Sequence, residues 1–382
     1  MTNQNYADRM SALGIALVAE VPTITWGAPG QGKSSVIEGM GDDLKLHVET
    51  IIAALHEPAD FGGLPAIDPI TGTARKIPPD WTKRVIDLHA EGKGSIVFFD
   101  ELSTAPPAVQ GALLRPILTG WVGDVKLPAG TRFLAAANPP EIAADGFDLA
   151  PPLANRFFHL DWDLPADVVA DGFTLAWPKV VTPSVNQDDV IREFGQAKLL
   201  IGTFLKSRQE MVTVMPTSSE DSGKAFPTPR TWEMAAKLYA VAKAANANDT
   251  VINMLLNGTV GVAAAAQLVE FVNNLNLPDP EELLRDPESF VVPVERTDRV
   301  YAIAGSVFTA MAKDVTKERW INCGTILAMI ANAGQADTAY MYASRWANNA
   351  IRPTGCVPNQ FQYTALGPIL GTMGRFTEGP LS

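Results

Sequence analysis

Over roughly the first 163 residues, short apolar runs alternate with stretches whose apolar positions recur every three or four residues. A parallel α/β sheet requires that alternation, because each parallel strand is joined to the next by a long, usually helical crossover. Four runs predict strands, at 23–26, 44–49, 95–99 and 132–137. Each stops at polar or Gly/Pro residues, and ligands of open α/β sheets bind beyond the carboxyl ends of the strands. After DWDLP (161–165), a Pro-rich passage through Trp177-Pro178 and Thr182-Pro183 predicts a linker. From about residue 186 the pattern turns helical, in NQDDVIREFGQAKLLIGTFLKS, TPRTWEMAAKLYAVAKAAN and VGVAAAAQLVEFVNNL. A second break, LPDPEELLRDPESFVVP (277–293), precedes further helices over about 297–349. The remaining stretch, from IRPTGCVPNQ onward, is Gly/Pro-rich with scattered aromatics, and its pattern assigns it no role. The predicted organisation is an α/β domain over 1–163, an all-α domain over 164–276, and a helical extension with a Gly/Pro-rich tail over 277–382.

Composition narrows the function classes. The 382 residues, 47% hydrophobic, suffice for two or three compact units with real cores. The net charge is −12, with 42 acidic against 30 basic residues. Broad binding to nucleic acid requires clustered Lys and Arg, so this balance speaks against it and leaves open only a local basic channel in an assembled ring. Cys323 and Cys356 have no metal-ligating partners at suitable spacing, which suggests a reducing compartment. MTNQNYADRMSALG lacks the charged and apolar regions of a signal peptide. No apolar run approaches the ~18 residues of a membrane span. No membrane insertion and a cytoplasmic location are expected.

The chemistry concentrates at the predicted strand ends. The octet Gly27-Ala28-Pro29-Gly30-Gln31-Gly32-Lys33-Ser34 follows the first strand, and Ser35 continues into a helical run. It fits G-x-x-x-x-G-K-[ST], in which backbone N–H groups wrap phosphates, the lysine reaches the β and γ oxygens, and the hydroxyl serves Mg²⁺. GSIVFFDE (94–101) is a buried-strand pattern closing on two carboxylates. Asp100 is expected to orient the Mg²⁺ shell and Glu101 to polarise an attacking water, which points to ATP hydrolysis over transfer of phosphate to a small molecule. FLAAANPP (133–140) ends in Asn138, an amide expected between the first two elements and within reach of γ-phosphate and water. In LANRFFHLDW (153–162), Arg156 is flanked by apolar residues. Far from its own P-loop, it is read either as a finger reaching a neighbouring subunit's phosphate or as an ordinary surface or ion-paired arginine. A head-to-tail contact of that kind, repeated, closes a ring.

Taken in order, these residues resemble the AAA+ ATPases and, among them, the MoxR-like family. The resemblance covers about residues 10–275. Its most specific portion is DELSTAPPAVQGALLRPILTG (100–120), similar to the family's Walker B and the helix after it. EPADFGGLPAIDPITGTARKIPPDW (57–81) resembles the helix-2 insert, and GWVGDVKLPAGTRFLAAANP the hairpin leading into sensor 1. PTPRTWEMAA (227–236) resembles sensor 2, which implies Arg230 near a γ-phosphate; read by itself, Arg230 is a solvated first-turn residue after Pro229. Residue by residue, the resemblance implies Walker A at Lys33 and Ser34, Walker B at Asp100 and Glu101, sensor 1 at Asn138, the arginine finger at Arg156 and sensor 2 at Arg230. It also implies a P-loop AAA+ core with an all-α lid, ATP and Mg²⁺, six subunits, and a protein partner with a von Willebrand factor A or similar domain. Two departures stand out. Leu102-Ser103-Thr104 replaces the family's basic or polar residue and Asn, and the chain beyond 277 extends past the usual lid helices. The expected function is a chaperone-like remodelling ATPase. Two other classes compete with it: a nucleic-acid-directed motor of a restriction or defence type, and a slow ATP-dependent regulatory switch.

Overall fold

The computed structural model describes residues 3–139, 142, 146–175, 177–180, 182–275, 277–348 and 350–371; the last part of the Gly/Pro-rich tail lies outside the described residues. The chain divides into two units, residues 1–193 with 210–267 and residues 194–209 with 268–382.

The first unit begins with a helix that the strand pattern did not predict, α1 (Asn3–Val18). Tyr6, Met10, Leu13 and Leu17 fall on one helical stripe and are all buried. There follow β1 (Thr23–Trp26), α2 (Lys33–Leu44) and β2 (His47–Ile52). The second strand was expected at 44–49 and starts three residues later, because α2 continues through Asp42 and Asp43 until Lys45, at φ 56°, ends it. The insert at 57–81 is not a plain loop. It forms α3 (Ala59–Gly62), an antiparallel hairpin of β3 (Leu64–Ile67) with β4 (Ala74–Ile77), and the start of α4 (Asp80–Ala90). Next come β5 (Ser95–Asp100), α5 (Pro107–Thr119), the small hairpin β6 (Trp121–Val122) and β7 (Val125–Lys126), and β8 (Arg132–Ala137). The two hairpins are latched, with Lys76 and Asp124 exchanging hydrogen bonds of 3.1 and 2.7 Å. Last come α6 (Pro151–Ala154) and a strand missed in the sequence pattern, β9 (Phe158–Asp161).

These strands form the expected parallel α/β sheet, in the order β2-β5-β8-β1-β9. Ile96 to Phe99 of β5 are wholly buried, as a strand covered on both faces must be. The predicted linker contains a helix, α7 (Ala166–Thr174), before α8 (Gln187–Ser207). Three further helices complete this part: α9 (Ser219–Ser222), α10 (Pro229–Ala244) and α11 (Asp249–Val260). The start of α10 is fixed by Pro229 in its first turn and by a reciprocal cap between Thr228 and Thr231. Helices α10 and α11 pack on each other and on α1, and α11 also lies against β9.

The second unit takes the later part of α8 and of α12 (Val262–Leu275), then α13 (Pro280–Arg285), α14 (Thr297–Lys313), α15 (Lys317–Asn332), α16 (Ala336–Trp346) and α17 (Gln360–Gly371). Its core centres on Trp320 and Trp346, stacked at 4.3 Å, each indole N–H donating to the other residue's carbonyl. Gln362, Leu366 and Leu370 of α17 are fully buried, so part of the Gly/Pro-rich stretch belongs to this core. Among the described residues no helix is long and apolar enough to cross a membrane.

Candidate active site

The loop after β1 is shaped by glycines at its start and end. A Cβ at Gly27 would lie 2.3 Å from the carbonyl oxygen of Trp162, so only glycine allows this approach to the end of β9. Gly32 caps α2 in the left-handed region, at φ 69°, which other residues adopt at a cost. Between them, Gln31 is stitched to the chain after β9. Its carbonyl accepts from the Trp162 indole and its side-chain oxygen from the Leu164 N–H, both at 2.9 Å.

Lys33, the first residue of α2, is buried with its ammonium inside this loop. It donates to the carbonyls of Gly27 (2.7 Å) and Ala28 (2.9 Å) and to Asn138 Oδ1 (3.0 Å). Burial lowers its pKa from the usual lysine value, and the negative charge of Asp100 opposes that shift. Beside it, Ser34 Oγ donates to Asp100 Oδ2 at 2.7 Å. Asp100 Oδ1 accepts the N–H of Glu101, whose side chain is exposed. Glu101 sits at φ 54°, ψ 38°, a left-handed conformation costing on the order of 1–3 kcal/mol for a side-chain-bearing residue. The backbone N–H of Asn138 donates to Ser103 Oγ at 3.1 Å, a support with no signal in the sequence pattern.

Strand order explains how three chain segments meet. β8 lies between β1 and β5, so its last residues put Asn138 between the lysine loop after β1 and the carboxylates after β5. The fold that positions them is a five-stranded parallel sheet flanked by helices. No family model matches the sequence, and no curated protein matches it either. Among solved structures it is similar to a "putative ATPase" from Cytophaga hutchinsonii, at 14% identity and a TM-score of 0.41, covering 72% of this chain and 91% of that one. It is also similar to a full-length MCM homologue from Methanopyrus kandleri, at 21% identity and a TM-score of 0.35, covering 68% of this chain and 54% of that one.

Arg156 and Arg230 lie elsewhere. Phe158, the first residue of β9, stands opposite Thr23, the first residue of β1. Arg156, two residues earlier, therefore enters at the amino edge of the sheet, whereas the loop that holds Lys33 leaves the carboxyl edge after Trp26. The strand alone separates these edges by about 10 Å, at ~3.3 Å per residue. Arg156 Nη1 donates to the carbonyl of Pro152, and its buried Nε has no partner. Arg230, in the first turn of α10, is its electrostatic neighbour. Burial lowers the Arg156 pKa from the ordinary arginine value, and the like charge of Arg230 adds to that. Among the described residues neither arginine pairs with a carboxylate, and no hydrogen bond joins either to Lys33, Ser34, Asp100, Glu101 or Asn138. The structure thus brings together two groups: the lysine cluster, and an arginine pair at the other edge.

Two side chains that the sequence pattern passed over tie the surroundings of these groups together. Gln110 of α5, fully buried, donates to Ala105 O (3.1 Å) and accepts from Ala150 N (2.9 Å), anchoring the segment that leads to α6. His159 of β9 stacks on Trp26 and accepts its indole N–H at Nδ1 (3.0 Å). An indole only donates, so the ring proton is on Nε2, which donates to Ala154 O at 2.9 Å. Burial pushes the His159 pKa down from 6.5 to about 4. Below pH 6.5 the unfolded chain therefore binds a proton that the folded chain refuses until about pH 4. This group's contribution is complete above pH 6.5 and falls by on the order of 3 kcal/mol as the pH drops towards 4. In urea titrations, the stability gap between the wild type and His159→Gln should narrow by that amount between pH 7 and pH 4. A gap independent of pH would show that His159 is not held neutral.

Proposed function

We propose that the chain is an ATPase of the MoxR-like AAA+ type, releasing phosphate to water at the cluster of Lys33, Ser34, Asp100, Glu101 and Asn138. The observation that carries this reading is the meeting of Lys33 Nζ with Asn138 and of Ser34 Oγ with Asp100 at three neighbouring strand ends. The backbone from Gly27 to Ser35 would receive the phosphates. There Lys33 exchanges its carbonyl acceptors for phosphate oxygens. The Ser34 hydroxyl and the Asp100 carboxylate form the small, hard oxygen set suited to Mg²⁺, which keeps much of its hydration and takes few protein ligands. Mg²⁺ held by Ser34 and Asp100 would supply positive charge that offsets the negative charge developing on the phosphate. Glu101, exposed beside the cluster, would orient the water, and Asn138 would hold both water and γ-phosphate.

Arg156 and Arg230 form a cationic pair without a carboxylate among the described residues, at the edge of the sheet away from the chain's own Lys33 loop. On this reading they complete a neighbouring copy's site together, and the homo-oligomer is a ring. Six subunits and remodelling of a protein partner follow from the resemblance to the MoxR-like family. Glu101→Gln tests the chemistry. The variant should bind ATP with near-normal affinity, retain it unhydrolysed on gel filtration, and release phosphate at least ~100-fold more slowly, the scale of a lost general base. Turnover at the wild-type rate would exclude Glu101 from the reaction.

A further inference from the structure

The arginine pair raises a physical problem that its surroundings solve. The charge of Arg230 acts on Arg156, and among the described residues no carboxylate neutralises the two guanidinium groups. Left to themselves they would swing apart into solvent. Arg156 lies in the turn between α6 and β9, and Arg230 in the first turn of α10, more than seventy residues on. One side chain bridges these places. Asn155 is only 4% exposed. Its Nδ2 donates to Phe226 O (3.2 Å), and its Oδ1 accepts from Thr228 Oγ1 (2.8 Å) and Arg230 Nη1 (3.4 Å).

The chemistry of those partners specifies an amide. The Phe226 carbonyl only accepts and the Arg230 guanidinium only donates, so the bridging residue must offer both a donor and an acceptor. Aspartate offers no donor to Phe226, and its charge would pair with Arg230 and cancel part of what the pair presents to an anion. Thr228 extends the link, because the hydroxyl that bonds Asn155 also caps α10 through Thr231 N (3.2 Å). The position of Arg230 on α10 is thus referred, through a buried amide, to the residue directly before Arg156.

We propose that Asn155 is a positioning residue that fixes Arg156 and Arg230 as one unit, so that both guanidiniums meet the same phosphoryl group of a neighbouring copy. This rests on the ATPase reading above. Asn155 itself touches no substrate. Its effect therefore belongs in kcat, where misplacement by about 1 Å costs on the order of 10²-fold, and not in the affinity for ATP.

The test uses the full chain with Asn155→Asp, nearly isosteric, and Asn155→Ala, alongside Arg156→Ala and Arg230→Ala. Steady-state ATPase assays at matched oligomer content should show kcat reduced on the order of 10²-fold in both Asn155 variants, with KM for ATP within about threefold of wild type. Asn155→Ala should add little to Arg230→Ala in the double variant, since residues acting as one unit are not additive. Full kcat in Asn155→Asp, with kcat lost in Arg156→Ala and Arg230→Ala, overturns the inference and leaves the ATPase reading standing. A loss that multiplies with Arg230→Ala, or that appears only as less folded protein with normal kcat per folded subunit, also overturns it by making Asn155 a structural residue. Full kcat in both arginine variants removes the trans-arginine reading and the inference with it.

Discussion

Arg156→Ala should leave nucleotide binding nearly unchanged while cutting ATP hydrolysis on the order of 10³-fold, the scale of a finger arginine. The expectation follows from where the sheet puts this residue. Its turn precedes β9 at the amino edge, and its hydrogen bonds stay local, to Pro152, while the lysine cluster lies beyond the carboxyl edge. Losing the guanidinium should therefore disturb neither Lys33 nor Ser34 of the same copy. A mixing experiment makes the argument sharper. An Arg156→Ala copy retains an intact phosphate loop, and a Lys33→Ala copy retains intact arginines. Each variant alone should be inactive, and an equimolar mixture should regain activity, because interfaces pairing a good loop with a good arginine then form. If Arg156→Ala alone turns over normally, the residue has no part in the reaction. If the mixture stays silent while both variants assemble, the arginine does not act across an interface.

Lys33→Ala should reduce ATP binding below detection in calorimetry, with the fold retained by circular dichroism. The ammonium is buried among the Gly27 and Ala28 carbonyls and Asn138, so it already sits where the loop's amide groups converge. No other cation hydrogen-bonds within that cluster among the described residues, and phosphate oxygens brought there would meet the Asp100 carboxylate without a compensating charge. Truncation also leaves the two carbonyls short of a donor, at about 1–3 kcal/mol each if they stay dry. That is enough to loosen the loop but not to unfold a sheet whose core lies elsewhere. An unaltered affinity for ATP in Lys33→Ala would separate this lysine from the phosphates.

What was legible in the sequence was what short spacing encodes. Lys33 and Ser34 follow a strand and open a helix, and Asp100 and Glu101 close a run of apolar residues. In both places a local pattern fixes the side chain's place at a strand end, and the structure joins the two through Ser34 and Asp100. Long-range arrangement was less visible. FHLD of β9 is short and half-polar, and it is a strand because its pairing with β1 and its cover from α11 make it one. β2 starts later than its apolar pattern suggested, because the acidic pair Asp42-Asp43 stays helical. Asn155 and His159 carried no signal at all. The partners of Asn155 lie 71 to 75 residues along the chain, and the Trp26 partner of His159 lies 133 residues back. Nothing within a helical or strand period marks such residues out.

The central position of β1 also bears on how the chain reaches this structure. Its two neighbours are β8 and β9, so Thr23 to Trp26 pair with 134–137 on one side and 158–161 on the other. The strand that leads into the Lys33 loop has no partner until more than a hundred further residues exist. At ~5–20 residues per second, the interval from Trp26 to Asp161 lasts roughly 7–27 s on the ribosome. For that time an apolar β-prone segment waits with open hydrogen-bonding edges, and its eventual contacts are among the most distant in sequence, which slows folding. The Lys33 loop therefore lacks its flanking strands in a half-made chain. It gains its final surroundings late, when β8 and β9 close on β1 from both sides.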